Sequence, residues 1–120
     1  MQNVILIKHP KNWGLEETVV KKLANNALVN KGYEKNTELS IIFVGRVKAK
    51  KLNIEYRQKN YIPQVLGFPM NKKKDEDGFI RLGDIVICTE KLRYEVKFLN
   101  KSLNEILSEW LVHGVENLLK

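Results

Sequence analysis

The chain has few of the features that would staple, export or anchor it. It contains a single cysteine, Cys88, so no internal disulfide forms and a reducing compartment is expected. Long apolar runs are missing. The N-terminal run Val4 to Ile7 is too short for a secretory core or a membrane span, which makes a cytoplasmic location the expectation. No repeat, linker or low-complexity tract divides the 120 residues, so residues 1–120 are expected to form one domain with its own core. Acidic side chains are in the minority, at 14 Asp and Glu against 21 Lys and Arg, a formal charge of +7. Such an excess points to an acidic partner, of which a phosphate backbone is the commonest. The plainer alternative is a lysine-rich surface that serves solubility alone. What is present, 43% hydrophobic and 29% charged residues, is the composition of a folded globular domain.

Patterning supplies the elements. Val4-Ile5-Leu6-Ile7, closed by His9-Pro10, predicts a strand buried on both faces in the interior of a sheet. Leu15, Val19, Val20, Leu23, Ala24, Ala27 and Leu28 recur at helical spacing, with Glu16 and Glu17 in the first turn and Lys31-Gly32 as a cationic, left-handed stop. Glu38 to Val44 predicts a second strand, and strand, helix, strand in that order suggests a layered α/β domain. Val65 to Pro69 reads as a short strand whose flanking prolines favour an edge or an ending. Asp84 to Cys88 reads as the last strand, followed from a Thr89 N-cap by a helix to about Phe98. Lys72 to Gly78, three lysines then three acids, predicts a mobile, self-neutralising loop tip without the alternating spacing of a calcium loop.

Two stretches carry candidate chemistry. Arg46 to Arg57 predicts a short helix with a basic outer face, where Arg46, Lys48, Lys50, Lys51, Arg57 and Lys59 are opposed only by Glu55. These cations suit phosphates, giving affinity that falls with salt and carries little sequence information. Tyr56 and Tyr61 lie among them; their rings either pack against the fold, the expected role, or stack on unpaired bases. Arg57 is either a solvated helix-end cation or a phosphate ligand. The second stretch is Ser102 to Lys120. Ser102 and Glu105 form a capping box, in which the hydroxyl accepts from the first turn and the carboxylate reaches back to the Ser102 N–H. Leu103, Ile106, Leu107, Trp110, Leu111, Gly114 and Leu118 then trace one apolar stripe. His113 lies beside it with Asn117 one turn on. Helices present pairs of metal ligands at that spacing, yet the second member here is an amide. The plain reading of His113 is a helix histidine satisfied by hydrogen bonds.

In order and spacing, Glu38-Leu39-Ser40-Ile41-Ile42-Phe43-Val44, Leu52-Asn53-Ile54-Glu55-Tyr56-Arg57, Val65-Leu66-Gly67-Phe68-Pro69, Leu82-Gly83-Asp84-Ile85-Val86-Ile87 and Leu111-Val112-His113-Gly114 resemble the YbeY-type family. Its members are single-domain, metal-dependent endoribonucleases of ribosomal RNA maturation. The resemblance covers nearly the whole chain. It implies an α/β (α+β) fold with a mixed four-stranded sheet and about four helices, a zinc cofactor, and RNA or a ribosomal particle as partner. In the family the last helix carries a His-Gly pair, a second histidine one turn later and a third after a glycine-containing bend. His113 and Gly114 match, Asn117 stands in the second histidine's place, and the third would fall beyond Lys120. The family's Pro-Thr-Asp-Val-Leu-Ser-Phe-Pro is here Ile62-Pro63-Gln64-Val65-Leu66-Gly67-Phe68-Pro69, so its threonine, aspartate and serine are replaced. Arg57 matches the family's functionally important arginine, and Asp84 its Gly-Asp-Ile step.

The chemistry implied by the resemblance is phosphodiester hydrolysis. Three imidazoles hold a zinc ion that brings the pKa of bound water to about 7, and an arginine offsets charge on the phosphate. Losing one outer-shell partner of such a site costs about 10–100-fold in affinity, and here Asn117 replaces one direct ligand while the third would fall beyond Lys120. The expectation is therefore a degenerate site, with zinc weak or absent at His113 and RNA or ribosome association outlasting cleavage. His9, Cys88 and Asp84 are the donors left to complete a working site. A basic module for an acidic protein is the reading from another class. His113 is expected to face the groove that receives Arg57.

Overall fold

The computed structural model describes residues 1–120. In chain order the elements are β1 (Val4–Lys8), α1 (Glu17–Asn30), β2 (Thr37–Val44), α2 (Arg46–Arg57), β3 (Val65–Pro69), β4 (Ile80–Cys88), α3 (Thr89–Phe98) and α4 (Leu103–Leu119). They form one sheet of order β1-β2-β4-β3. β1 and β2 pair parallel, β2 and β4 pair parallel, and β3 runs antiparallel to β4. This is the mixed four-stranded sheet with four helices that the sequence implied. No helix is long and apolar enough to cross a membrane.

Alternation along β2 sends Leu39, Ile41 and Phe43 to one face, where they pack with Ile85 and Ile87 of β4 and the apolar stripes of α1 and α4. Ile106, Leu107, Trp110, Leu111 and Leu118 of α4 are all buried there. Truncating any such aliphatic side chain to alanine costs about 2–5 kcal/mol. The opposite face carries a smaller cluster, in which Ala49 of α2 packs with Val44, Leu66, Val86 and Cys88.

A bulge decides which β4 residues face which side. Register slips between Glu38 and Leu39, which pair with Arg81 and Gly83 and pass over Leu82. Gly83 has φ +132°, and a Cβ there would lie 2.2 Å from the Phe68 carbonyl oxygen, so only glycine fits. Leu82 before the slip and Ile85 after it both reach the main core. Asp84, paired with Ser40 and Phe68, is thereby turned toward α2.

Several expectations need correction. β1 is an edge strand, paired with β2 alone. Its Val4 is 36% and its Leu6 47% exposed, because only the Ile5 and Ile7 side meets the main core. Thr89 is the first residue of α3 rather than its cap, and its hydroxyl donates to the Val44 carbonyl at 3.4 Å. At Ser102 half the capping box forms. The hydroxyl accepts from the Glu105 N–H at 3.1 Å, but Glu105 Oε1 takes the serine hydroxyl at 3.3 Å instead of reaching the backbone. The loop at Lys72 to Gly78 is tied down, since Arg81 meets Asp75 and Asp77 at 2.7 Å each and Glu38 at 3.1 Å. Asp75 and Asp77 are neutralised from β4, not by the neighbouring lysines.

Candidate nucleic-acid interface

Helix α2 begins at Gly45 and ends at Gln58, whose φ of +56° closes it in the left-handed region. Its inner side is thin: Ala49 and Asn53 are the buried residues. Asn53 is polar and fully buried, and it is satisfied twice. Its Nδ2 donates to the Tyr61 carbonyl at 3.0 Å, and its Oδ1 accepts from Arg57 Nη1 at 3.4 Å. One side chain thus fixes both the loop after α2 and the direction of Arg57. A depression of about 320 Å³ follows, lined by Arg57, Tyr61, Pro63, Gln64 and Lys91. Two cations from different helices converge there. The sequence reading missed Asn53 and Lys91; an asparagine in the buried stripe of α2, four residues before Arg57, was the available signal.

The six cations do not form one patch. Arg46 turns toward α3, where Glu90 Oε1 accepts from its backbone N–H at 3.3 Å and Glu90 Oε2 lies 3.4 Å from its guanidinium. A helix N-terminus is a natural phosphate seat, but here a carboxylate holds it. Lys51 and Lys48 line the depression beside that terminus, and Lys48 also borders a second groove on the sheet side. Lys50, Lys51, Arg57 and Lys59 are exposed, and with Lys48 they make no ion pair. Tyr56, expected to pack, is 62% exposed and stands edge-on to Phe68 with ring centroids 5.2 Å apart.

Helix α4 places the histidine motif elsewhere. A Cβ on Gly114 would sit 2.8 Å from Ile85 Cδ1, so the glycine lets the helix settle onto β4. The positions of Gly67 and Asn117, two departures from the resembled pattern, meet in space: a Cβ on Gly67 would lie 2.9 Å from Asn117 Cβ. His113 points outward, 68% exposed, with Nδ1 3.9 Å from Glu116 Oε1. It does not share a groove with Arg57 as expected. α4 packs on the main core and α2 on the opposite face, and the depression at Arg57 is lined by no residue of α4.

The remaining donors are scattered. His9 stacks on Trp13 at 3.8 Å, Cys88 is buried in the α2-side cluster, and Asp84 faces the sheet-side groove. No three His, Cys, Asp or Glu side chains come close enough to share an ion. On α4 itself His113 is the one imidazole, with the Asn117 amide a turn further on.

These features define a one-sheet α/β protein with a glycine-seated histidine helix on one face and a cationic helix on the other. A family described as Endoribonuclease YbeY matches residues 8–119, and the chain belongs to the YbeY family. A relative named Endoribonuclease YbeY from Thermodesulfovibrio yellowstonii is 36% identical over 88% of this chain and 64% of its own length. One of the same name from Aquifex aeolicus is 32% identical over 98% of this chain and 76% of its own. The chain spans half of the Chromobacterium violaceum relative, at 33% identity over 70% of this chain and 50% of that one. The solution structure of TM1509 from Thermotoga maritima shares the fold, with a TM-score of 0.61 at 20% identity over 99% of this chain and 73% of that one.

Proposed function

We propose that this chain is an RNA-associated YbeY-type factor of ribosomal RNA maturation, acting in the cytoplasm. It holds RNA through phosphate contacts along α2, while zinc binds weakly or not at all and metal-dependent cleavage is impaired or lost. The observation that carries this reading is the set Lys48, Lys50, Lys51, Arg57 and Lys59. All are exposed on α2 and the turn after it, and none has a carboxylate partner. Unpaired cations release condensed counterions when phosphates replace them, which gives affinity without any ion in the site. Arg57 is the best oriented of them, through Asn53, and Lys91 adds a second cation beside it. The name shared by the relatives supports RNA as the partner.

The test is binding of a labelled single-stranded RNA across a salt series. Affinity should fall as salt rises, and Lys50→Glu with Lys51→Glu should weaken it further; an unchanged affinity throughout would remove RNA as the partner. Protein dialysed against zinc should retain well under one equivalent. Stoichiometric zinc lost on His113→Ala would restore the catalytic reading.

A further inference from the structure

Between α2 and the sheet lies a groove of about 340 Å³, lined by Ile42, Val44, Leu52, Phe68 and Val86, with Tyr56 at its mouth and Lys48 on its rim. Asp84 is the one carboxylate in it. It lies between Ser40 on β2 and Phe68 on β3, and its side chain has no hydrogen-bond or ion-pair partner in the chain. Lys48 lines the same groove without pairing to it. The wider depression at the start of α2 offers less, because Glu90 already takes the Arg46 N–H there.

We propose that this groove receives a single unpaired guanine base from an RNA strand whose phosphates lie along α2. The inference rests on the RNA-binding reading and adds the base that the site selects. An ionised carboxylate only accepts hydrogen bonds, so the ligand must bring donors. The walls are aliphatic and aromatic, and Tyr56 and Phe68 stand at 81° to one another, which suits a flat ligand that presents a π-face to one ring. A groove of this volume is at the small end of ligand sites and suits one base. Guanine alone among the four bases carries two adjacent donors, N1–H and the N2 amine, next to an acceptor, O6. The donors match Asp84 and the acceptor matches Lys48. Adenine and cytosine bring one exocyclic amine, and uracil sets its single N3–H between two carbonyls that would face the carboxylate.

Five-nucleotide uridine strands with a central guanine, inosine or adenine test this by fluorescence anisotropy at fixed salt. The guanine strand should bind about tenfold or more tightly than the adenine strand. Inosine, which keeps N1–H and lacks the amine, should fall between them. Asp84→Asn should erase the guanine preference while binding the adenine strand no more weakly, which also shows that the variant is folded. Tyr56→Ala should weaken all three strands alike. Equal binding of the three by the unaltered protein, or a guanine preference that survives Asp84→Asn, overturns the proposal and leaves the groove to another occupant such as a protein segment, with RNA binding still standing. Loss of salt-sensitive binding to every strand would overturn both.

Discussion

Gly114→Ala separates two roles for the glycine beside His113, a mark of a metal motif or a seat for the helix. The added Cβ would meet Ile85 at 2.8, 2.9 and 3.1 Å, against a branched side chain that is fully buried and has no room to withdraw. Overpacking of this kind costs about 1–3 kcal/mol. Replacing glycine by alanine inside a helix returns about 0.8–1 kcal/mol. Against a fully buried partner that meets the new Cβ at three atoms, the overpacking falls in the upper part of that range, about 2–3 kcal/mol, which leaves a net loss of about 1–2 kcal/mol. For a domain of this size 1 kcal/mol moves Tm by about 4 °C, so Gly114→Ala should melt about 4–8 °C lower by circular dichroism or calorimetry. The decisive measurement is the same change in an Ile85→Ala background. There the clash is gone and only the propensity gain remains, so Gly114→Ala should be neutral or stabilising by up to about 1 kcal/mol. A sign reversal of that size is a coupling of about 2 kcal/mol, within the range for touching residues. An equal effect in both backgrounds, or an unchanged Tm in the first, would refute the packing argument.

Other outcomes follow from the charges and caps. Lys50→Gln with Lys51→Gln should flatten the slope of log affinity against log salt for single-stranded RNA by about 1.4, since each phosphate contact on a single strand contributes about 0.7; an unchanged slope would take both lysines out of the contact. The Arg81 guanidinium, donating to Asp77, holds that carboxyl at about 2 against an ordinary 3.8. Its contribution to stability is therefore present above about pH 4 and is lost as pH falls through about 2. The urea midpoint of Asp77→Asn should lie below that of the unaltered protein at pH 6, and the two should converge toward pH 2; a gap that persists there would refute the assignment. Ser102→Ala removes the only side-chain acceptor at the start of α4 and should lower stability by about 1 kcal/mol in urea unfolding. Asn53→Ala should weaken RNA binding at least as much as Arg57→Ala does, since Asn53 holds both Arg57 and the loop at Tyr61, and adding Arg57→Ala to it should cost little more; additive losses would refute that.

Local signals were enough for α1, α2, β3 and α4. The bounds of α2 at Arg46 and Arg57 follow from Gly45 before it and the turn at Gln58 after it. Lys31-Gly32 closes α1 where the cap pattern put it, with Gly32 at φ +93°. Strand membership was equally plain, but position in the sheet was not. Val4-Ile5-Leu6-Ile7 is apolar on both sides, and only the tertiary fold leaves it with one neighbouring strand and with Val4 and Leu6 uncovered. At the candidate interface, the cations of α2 could be read from their types, whereas Asn53 and Lys91 could not be tied to Arg57 without the fold that joins α2, the loop after it and α3.

Period and cap chemistry act over a few residues, so the chain's order of letters alone settled that there would be four strands, four helices and a basic helix among them. Which face each side chain took depended on contacts between distant segments. The slip at Gly83 turned Asp84 toward α2, a close approach at Gly114 seated α4 on Ile85, and the sheet kept His113 and Arg57 on elements packed against opposite faces. Those relations are set by packing across the sheet, which no local pattern encodes.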